Sequence, residues 1–340
     1  MTRAVLLHRA APGVTVQDAG RPGWLGQGLS RGGAVDALSL AEGAALLGQD
    51  AGLAALEVAG SPLVMEVTAP ARMALTGAPM RARAGDRMLA WNGVHAVGTG
   101  EMLDLSGSAG GFSYVHFGGG IDTPLILHSR SAHLAAGIGR MLRAGDRLPL
   151  GPDQGGREGL VLDPLPRFTG GILRVVSGPQ TALFDACERA RFCDTAFRKD
   201  PRGNRMGQRL IHDGPGFAAA AGLAVLSQTV VPGDVQVPGD GAPVVLLSEC
   251  QTTGGYPRLG TVLPCDLPLL VQAPPGAVLR FRFVSPDKAL AAERAEARRR
   301  KGLAAQLRPL VRNPRDMPDL LRYRLVDGAT RGDDLDGGTA

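Results

Sequence analysis

A chain of 340 residues with 44% hydrophobic side chains is long enough for two ordinary domains and buries its cores without help from disulfides or structural metals. Its net charge of +5 is carried almost wholly by arginine, the lysines being Lys199, Lys288 and Lys301; the densest basic run, Arg298 to Lys301, shares a helical stretch with Glu293 and Glu296 and reads as a solvated helix face, not a nucleic-acid surface. No stretch approaches the length of a membrane span, the apolar run at the N-terminus is too short for a signal peptide, and the four cysteines form no Cys-x-x-Cys pair, so a cytoplasmic protein without membrane or nucleic-acid partners is expected.

Aromatics make up only 4%, whereas 49 glycines and 25 prolines are spread along the chain, which favours short strands joined by tight turns: a mainly β protein with a few short helices. Residues 3–7 and 12–16 read as the first two strands, turning at Ala10–Gly13. The stretch 14–36 is rich in turn residues and lacks periodicity, as functional loops do. A helix should follow, with Asp36 as N-cap, Leu38, Leu40, Ala41, Ala44, Ala45 and Leu47 on its apolar face, and Gly48 at its end. Strands are expected at 55–58, 63–67 and 73–76, and the turn-strand unit Ala84–Leu89 recurs at Ala144–Leu148 and in altered form at Pro275–Phe281. Residues 149–170 are Pro/Gly-rich and read as a linker. A second domain would open with the strand Gly171–Val176, continue through a short helix near Thr181–Glu188 and strands near 223–226, 234–237 and 243–247, and close at Phe283–Val284. The expected division is 1–165, 166–285, and a helical, partly disordered tail at 286–340.

Two loops carry more donors than generic turns need. The first runs Val16-Gln17-Asp18-Ala19-Gly20-Arg21-Pro22-Gly23 and on through Gly32-Gly33-Ala34-Val35-Asp36; the second runs Gln251-Thr252-Thr253-Gly254-Gly255-Tyr256-Pro257-Arg258. Arg21, Arg130, Arg205 and Arg258 offer bidentate forks for a carboxylate or a phosphate. Gly254 and Gly255 allow close backbone approach, Gln17, Gln251, Thr252, Thr253 and Tyr256 add polar groups, and Asp18, Asp36 and Glu57 are candidate acid/base or orienting carboxylates. Structural work competes with each reading: Asp36 suits a helix cap, Arg21 suits a tie within its own loop, Glu57 suits a partnered carboxylate in an apolar strand, and Tyr256-Pro257 suits a turn. His116, His128 and His133 match no metal-ligand spacing, Gly118–Gly120 opens no dinucleotide fingerprint, and no Walker A loop is present.

These two loops, with Ser177-Gly178-Pro179-Gln180, Arg205-Met206-Gly207 and Val231–Pro238 in the same order, resemble the biotin-dependent-carboxyltransferase-like family, which includes the C component of 5-oxoprolinase, the KipA-type proteins and the carboxyltransferase part of urea amidolyase. The resemblance spans roughly residues 3–285. It implies two cyclophilin-like β-barrels, a KipI-type partner resembling the B component of 5-oxoprolinase, and a third, LamB/YcsF-type subunit. The implied reaction is ATP-dependent opening of 5-oxo-L-proline to L-glutamate, with ATP held by the complex. The family also allows a urea-type biotin-dependent carboxyltransferase or a KipA-like antagonist of a kinase inhibitor. This chain contains no biotin attachment site, so a biotin reaction would need its carrier on another chain.

Overall fold

Short segments of alternating burial build the first half of the chain, seen in a computed structural model that describes residues 3–60, 62–108, 110–220 and 225–311. Its strands are β1 (Ala4–Ala10), β2 (Val14–Gln17), β3 (Ala55–Val58), β4 (Leu63–Val67), β5 (Ala71–Gly77), β6 (Met80–Ala84), β7 (Arg87–Met88), β8 (Val94–Val97), β9 (Leu103–Ser108), β10 (Ser113–Phe117) and β11 (Arg147–Pro149). They form two sheets, ordered β11-β1-β4-β9-β6-β7 and β2-β3-β10-β5-β8. In β4 and β6 every second residue is buried, the signature of a sheet with one wet face. Leu7, Leu56, Leu63, Met65, Met73, Leu105 and Phe117 fill the space between the sheets.

By contrast β3, β5 and β10 are buried along their whole length. The outer face of their sheet is covered by helix α1 (Ala37–Leu47), capped by Asp36, whose carboxylate accepts from the Leu38 and Ser39 amides, and ended by Gly48 at φ +66°. Small residues let it lie close: a Cβ at Gly43 would run into the His116 ring. The Thr76 hydroxyl donates to the Ser39 carbonyl at 2.9 Å, so it accepts from His116 Nε2–H at 2.9 Å, and the imidazole ties β10 and β5 to α1.

The second half contributes β12 (Leu160–Val161), β13 (Gly171–Val176), α2 (Ala186–Asp194), β14 (Arg198–Lys199), β15 (Gly207–Ile211), β16 (Gln228–Thr229), β17 (Asp234–Gln236), β18 (Val244–Leu246), β19 (Thr253–Gly254), β20 (Arg258–Val262), α3 (Leu267–Gln272) and β21 (Leu279–Phe283). Seven of these strands form a curled half-barrel, ordered β14-β15-β18-β17-β20-β13-β21, in which β13 and β21 run parallel. The scarce aromatics are concentrated here. Phe192 of α2 stacks on Phe281 at 4.5 Å and meets Phe217 edge-on at 5.7 Å.

The chain then returns to the first half. Helix α4 (Pro286–Lys301) starts at the Ser285 cap, a 3₁₀ turn follows at Leu303–Gln306, and β22 (Arg308–Pro309) pairs with β12. Leu303 is fully buried against Leu46, Leu47, Ala74, Val94 and Leu162. The expected linker at 149–170 is therefore not free chain: it holds β12 and the buried Leu162 and Arg167. Residues 312–340, expected to fray, lie outside the described residues. Among the described residues no helix is long and apolar enough to cross a membrane.

The mainly β fold with few helices is the one expected. Two elements move. The expected helix near Thr181–Glu188 is a 3₁₀ turn, Thr181–Leu183, followed by α2, because Asp185 caps the later start by accepting from the Glu188 amide. The expected strand near 223–226 is displaced: Val225 and Leu226 belong to no strand, Leu226 is 86% exposed, and the pairing with β19 is made by Gln228–Thr229. Residues 223–224 lie outside the described part.

Leu303→Ala removes a fully buried side chain and should lower the unfolding free energy by about 2–5 kcal/mol in urea melts; an unchanged midpoint would mean that the C-terminal return is not part of the cooperative unit. Burial lowers the pKa of His116 to about 3. The unfolded chain takes up a proton below its ordinary pKa of about 6.5 while the folded one does not, so the contribution of His116 is complete above that pH and is lost on acidification toward the folded value. His116→Gln should flatten the fall of stability between pH 7 and 4; an identical slope in both proteins would refute this.

Candidate functional site

The first signature loop lies at the seam between the two halves. After β2 it doubles back on itself. A Cβ at Gly20 would stand 2.6 Å from the Arg31 carbonyl and one at Gly33 2.7 Å from the Gly20 amide, and both have positive φ, so the two passes touch only because both residues are glycine. Asp18 fastens the loop. Its Oδ1 accepts from Gly20 N, Ser129 Oγ and Ser131 Oγ, and its Oδ2 from Arg130 N. Gln17 beside it donates to Thr15 Oγ1 and the Ala132 carbonyl. The Arg130 side chain turns away to pair with Asp122.

Further along the loop, Val35 inserts into the apolar core of the second half. Its amide donates to Glu57 Oε2 at 2.9 Å, and the same oxygen accepts from the Tyr114 hydroxyl at 2.6 Å. The other oxygen of Glu57 pairs with Arg205, which reaches across from the second half, binds Glu249 Oε1 through Nε at 2.6 Å and donates to the Gly33 carbonyl at 2.7 Å. Burial opposes the charge on Arg205, but Glu57 and Glu249 outweigh it and raise its pKa. The Tyr114 phenol is pushed well above its ordinary value by burial and by the Glu57 charge.

Asp36 begins a second buried cluster. Beyond its capping bonds, Oδ2 accepts from Ser39 Oγ at 2.6 Å, Gln272 Nε2 at 2.8 Å and Arg167 Nε at 3.0 Å. Arg167 also forks onto Glu42 at 2.8 and 2.5 Å. Burial pulls the Asp36 pKa upward, yet Arg167, Ser39 and Gln272 leave it below the usual carboxylate range, whereas burial prevails at Glu42 and raises it. Gln272 donates to the Phe112 carbonyl as well, so Asp36 binds both halves of the chain.

Behind the loop lies Arg21, 1% exposed. Its Nη2 donates to the Ser131 carbonyl and its Nε to the Ile126 carbonyl, while Nη1 is buried without a partner among the described residues. Nearby, His133 Nδ1 accepts from the Ala136 amide at 3.2 Å, which leaves the proton on Nε2 for Ser30 Oγ at 2.8 Å. Ser30 therefore has no base to activate it, and the pair is not a nucleophile-base couple.

The second loop is built differently. Thr253–Gly254 pairs with Gln228–Thr229, and Arg258 of β20 is spent on neighbouring strands, donating to the Thr229 carbonyl and Gln228 Oε1 of β16 and to Asp234 Oδ2 of β17. Gly254 does not have positive φ; a Cβ there would collide with Gln236 Nε2 at 2.5 Å, an atom buried without a partner among the described residues. Gln251, Thr253 and Tyr256 are exposed, Thr252 is half-buried, and Gly255 faces Ser227 Oγ. Arg205, Asp18, Asp36, Glu57, Gln17 and Arg21 are thus gathered around the seam. The Gln251–Arg258 run joins them only along the chain, through Ser248 and Glu249 just before it.

A cleft of about 760 Å³ opens at the seam. Asp18, Gly32, Ala34 and Val35 form one side, the small residues of α1 another, Pro232, Ser248 and Leu267 a third, and Glu293, Glu296, Arg300 and Lys301 of α4 the last. The sequence offered no sign that Tyr114, Arg167, Glu42, Gln272 or Glu249 would join the buried clusters that hold this loop.

Asp18→Asn tests the anchoring role. An amide must present its NH₂ to one set of donors, so the variant should lose about 2–4 kcal/mol of stability; a melt unchanged from wild type would show that the four bonds to Asp18 are dispensable.

Residues 27–283 match the family described as carboxyltransferase domain, subdomain A and B. The C component of the 5-oxoprolinase of Escherichia coli (strain K12) is 35% identical over 306 residues, covering 88% of this chain and 97% of that protein. Its counterpart in Haemophilus influenzae is 30% identical over 280 residues, covering 81% and 89%. In structure the chain is similar to the Kluyveromyces lactis urea carboxylase, with a TM-score of 0.79 at 23% identity; the match covers 92% of this chain but 31% of that one, and it is a likeness of fold.

Proposed function

The chain belongs to the carboxyltransferase subdomain A and B family, and from that premise we propose that it is the C component of a 5-oxoprolinase, acting in the ATP-dependent opening of 5-oxo-L-proline to L-glutamate. The observation that carries this reading is the match to a 5-oxoprolinase C component along 97% of that protein's length. On this reading the chain works in the cytoplasm with a KipI-type protein resembling the B component and a LamB/YcsF-type third subunit.

The chemistry fits a divided enzyme. A lactam is a resonance-stabilised amide, and ATP supplies the drive for its opening by phosphoryl transfer. The sequence holds no Walker A loop, and the cleft offers Arg31, Arg300 and Lys301 as cations for phosphate oxygens, with no nucleotide loop beside them. We therefore place ATP on the assembled complex. Asp18, Asp36 and Glu57 have their oxygens committed to donors, so their task is to hold the loop in shape against the cleft and not to exchange protons with substrate. The small apolar lining of α1 leaves room for a five-membered ring.

The reading is tested by reconstituting the three proteins and measuring phosphate release. Release should depend on 5-oxo-L-proline and vanish when this chain is left out. Turnover only with a biotin carrier and bicarbonate would replace the proposal with a carboxyltransferase. Undiminished turnover without this chain would leave a regulatory binding role of the KipA type.

A further inference from the structure

The described residues contain four buried arginines, and three have carboxylate partners: Arg72 with Asp153, Arg167 with Asp36 and Glu42, Arg205 with Glu57 and Glu249. Arg21 alone among them has none in ion-pair contact; its bonds are to two backbone carbonyls and its Nη1 has no partner. A buried guanidinium with no anion in contact is destabilised, and an arriving anion relieves that cost.

The surroundings supply further donors. Ser30 Oγ accepts from His133 Nε2–H, which leaves the Ser30 proton free to donate, and Ser248 Oγ is buried without a partner among the described residues. Arg21, His133 and the Ser248 backbone meet around Gly32. A Cβ on Gly32 would stand 3.4 Å from Arg21 Nη1 and 3.1 Å from His133 Cδ2, the Gly32 amide donates to the Ser248 carbonyl, and Gly32 itself lines the cleft. A residue without a side chain thus stands between the cleft and the guanidinium.

Charge decides the class of anion. Asp18 and Glu249 both act on Arg21 through space, and both are held elsewhere: Asp18 takes three donors on Oδ1 and one on Oδ2, and Glu249 is held by Arg205 and the Ala135 amide. A phosphate with two charges would face one cation and two fixed carboxylates, whereas a single carboxylate meets the same groups with half that charge and so half that repulsion. We propose that Arg21, with Ser30 and Ser248 beside Gly32, is the receptor for a monoanionic carboxylate. Resting on the function proposed above, that group is the carboxylate of 5-oxo-L-proline, held with the lactam ring toward the cleft.

The test uses the full chain and the assembled complex, with 5-oxo-L-proline, the uncharged 2-pyrrolidinone and inorganic phosphate as probes. Calorimetry should show that Arg21→Met weakens 5-oxo-L-proline by at least about 30-fold, leaves 2-pyrrolidinone unchanged, and that phosphate does not compete. Gly32→Ala, which fills the space before Nη1, should weaken the same ligand with Arg21 intact. In the complex, Arg21→Lys and Arg21→Met should raise KM more than they lower kcat. Phosphate displacing the carboxylate, wild-type affinity in Arg21→Met, absence of 5-oxo-L-proline binding by both chain and complex, or failure of both Arg21 variants to fold would each overturn the assignment. Monocarboxylate binding through Arg21 in a complex that does not open 5-oxo-L-proline would keep the receptor and reject the function. Unchanged KM in both Arg21 variants of an active complex would do the reverse.

Discussion

Arg205 is held between Glu57 and Glu249, and the rest of the seam depends on that contact. Glu57 belongs to a strand of the first half, Glu249 to the exit of β18 in the second, and the third arm of the guanidinium takes the Gly33 carbonyl. One side chain therefore sets the relation of the two halves and the path of the loop between them. Removing one partner of such a buried group costs about 3–5 kcal/mol, because the remaining charge keeps its desolvation and loses its compensation. The ion pair matters here less for net stability than for fixing one arrangement.

The loop it fixes would not hold that shape alone. Gly20 and Gly33 let two passes of backbone touch, Asp18 collects four donors, and Val35 enters the core of the second half. Asp36 then converts the end of the loop into the start of α1 while binding Arg167 and Gln272 from the other side of the seam. Through Leu303 and β22 the C-terminal return closes the remaining side, so the cleft is walled by segments far apart in the chain. Most polar groups in this region are satisfied by one another. Arg21 Nη1 is an exception, and an unsatisfied charge within a satisfied network is where a ligand has most to offer.

The elements governed by local physics were legible in the sequence. The cap, apolar face and terminal glycine of α1 specify it within its own residues, and the Gly-Asp turns at 85–86 and 145–146 precede strands as their chemistry requires. The displaced strand at 228–229 was not legible, because the apolar run before it imitates a strand whereas real pairing depends on β19, some 25 residues on. The site divides in the same way. Residues in dense motifs, such as Asp18, Arg21 and Asp36, stand out because several turn residues and donors cluster in sequence. Arg167, from an apparent linker, and Tyr114, from an apolar strand, carry no local mark, since their roles exist only once two distant surfaces meet. The bonds of Arg258 make the converse point: a motif rich in donors can spend them on the strands beside it.

The most direct test of this account is a double-mutant cycle on Glu57→Gln and Arg205→Met, followed by urea unfolding. If the pair organises the seam, the two substitutions will couple by about 2 kcal/mol or more, the double variant being far less unstable than the sum of the singles, and unfolding will stay cooperative in the wild type. Additive effects within about 0.5 kcal/mol would contradict the account and assign the arrangement of the two halves to other contacts.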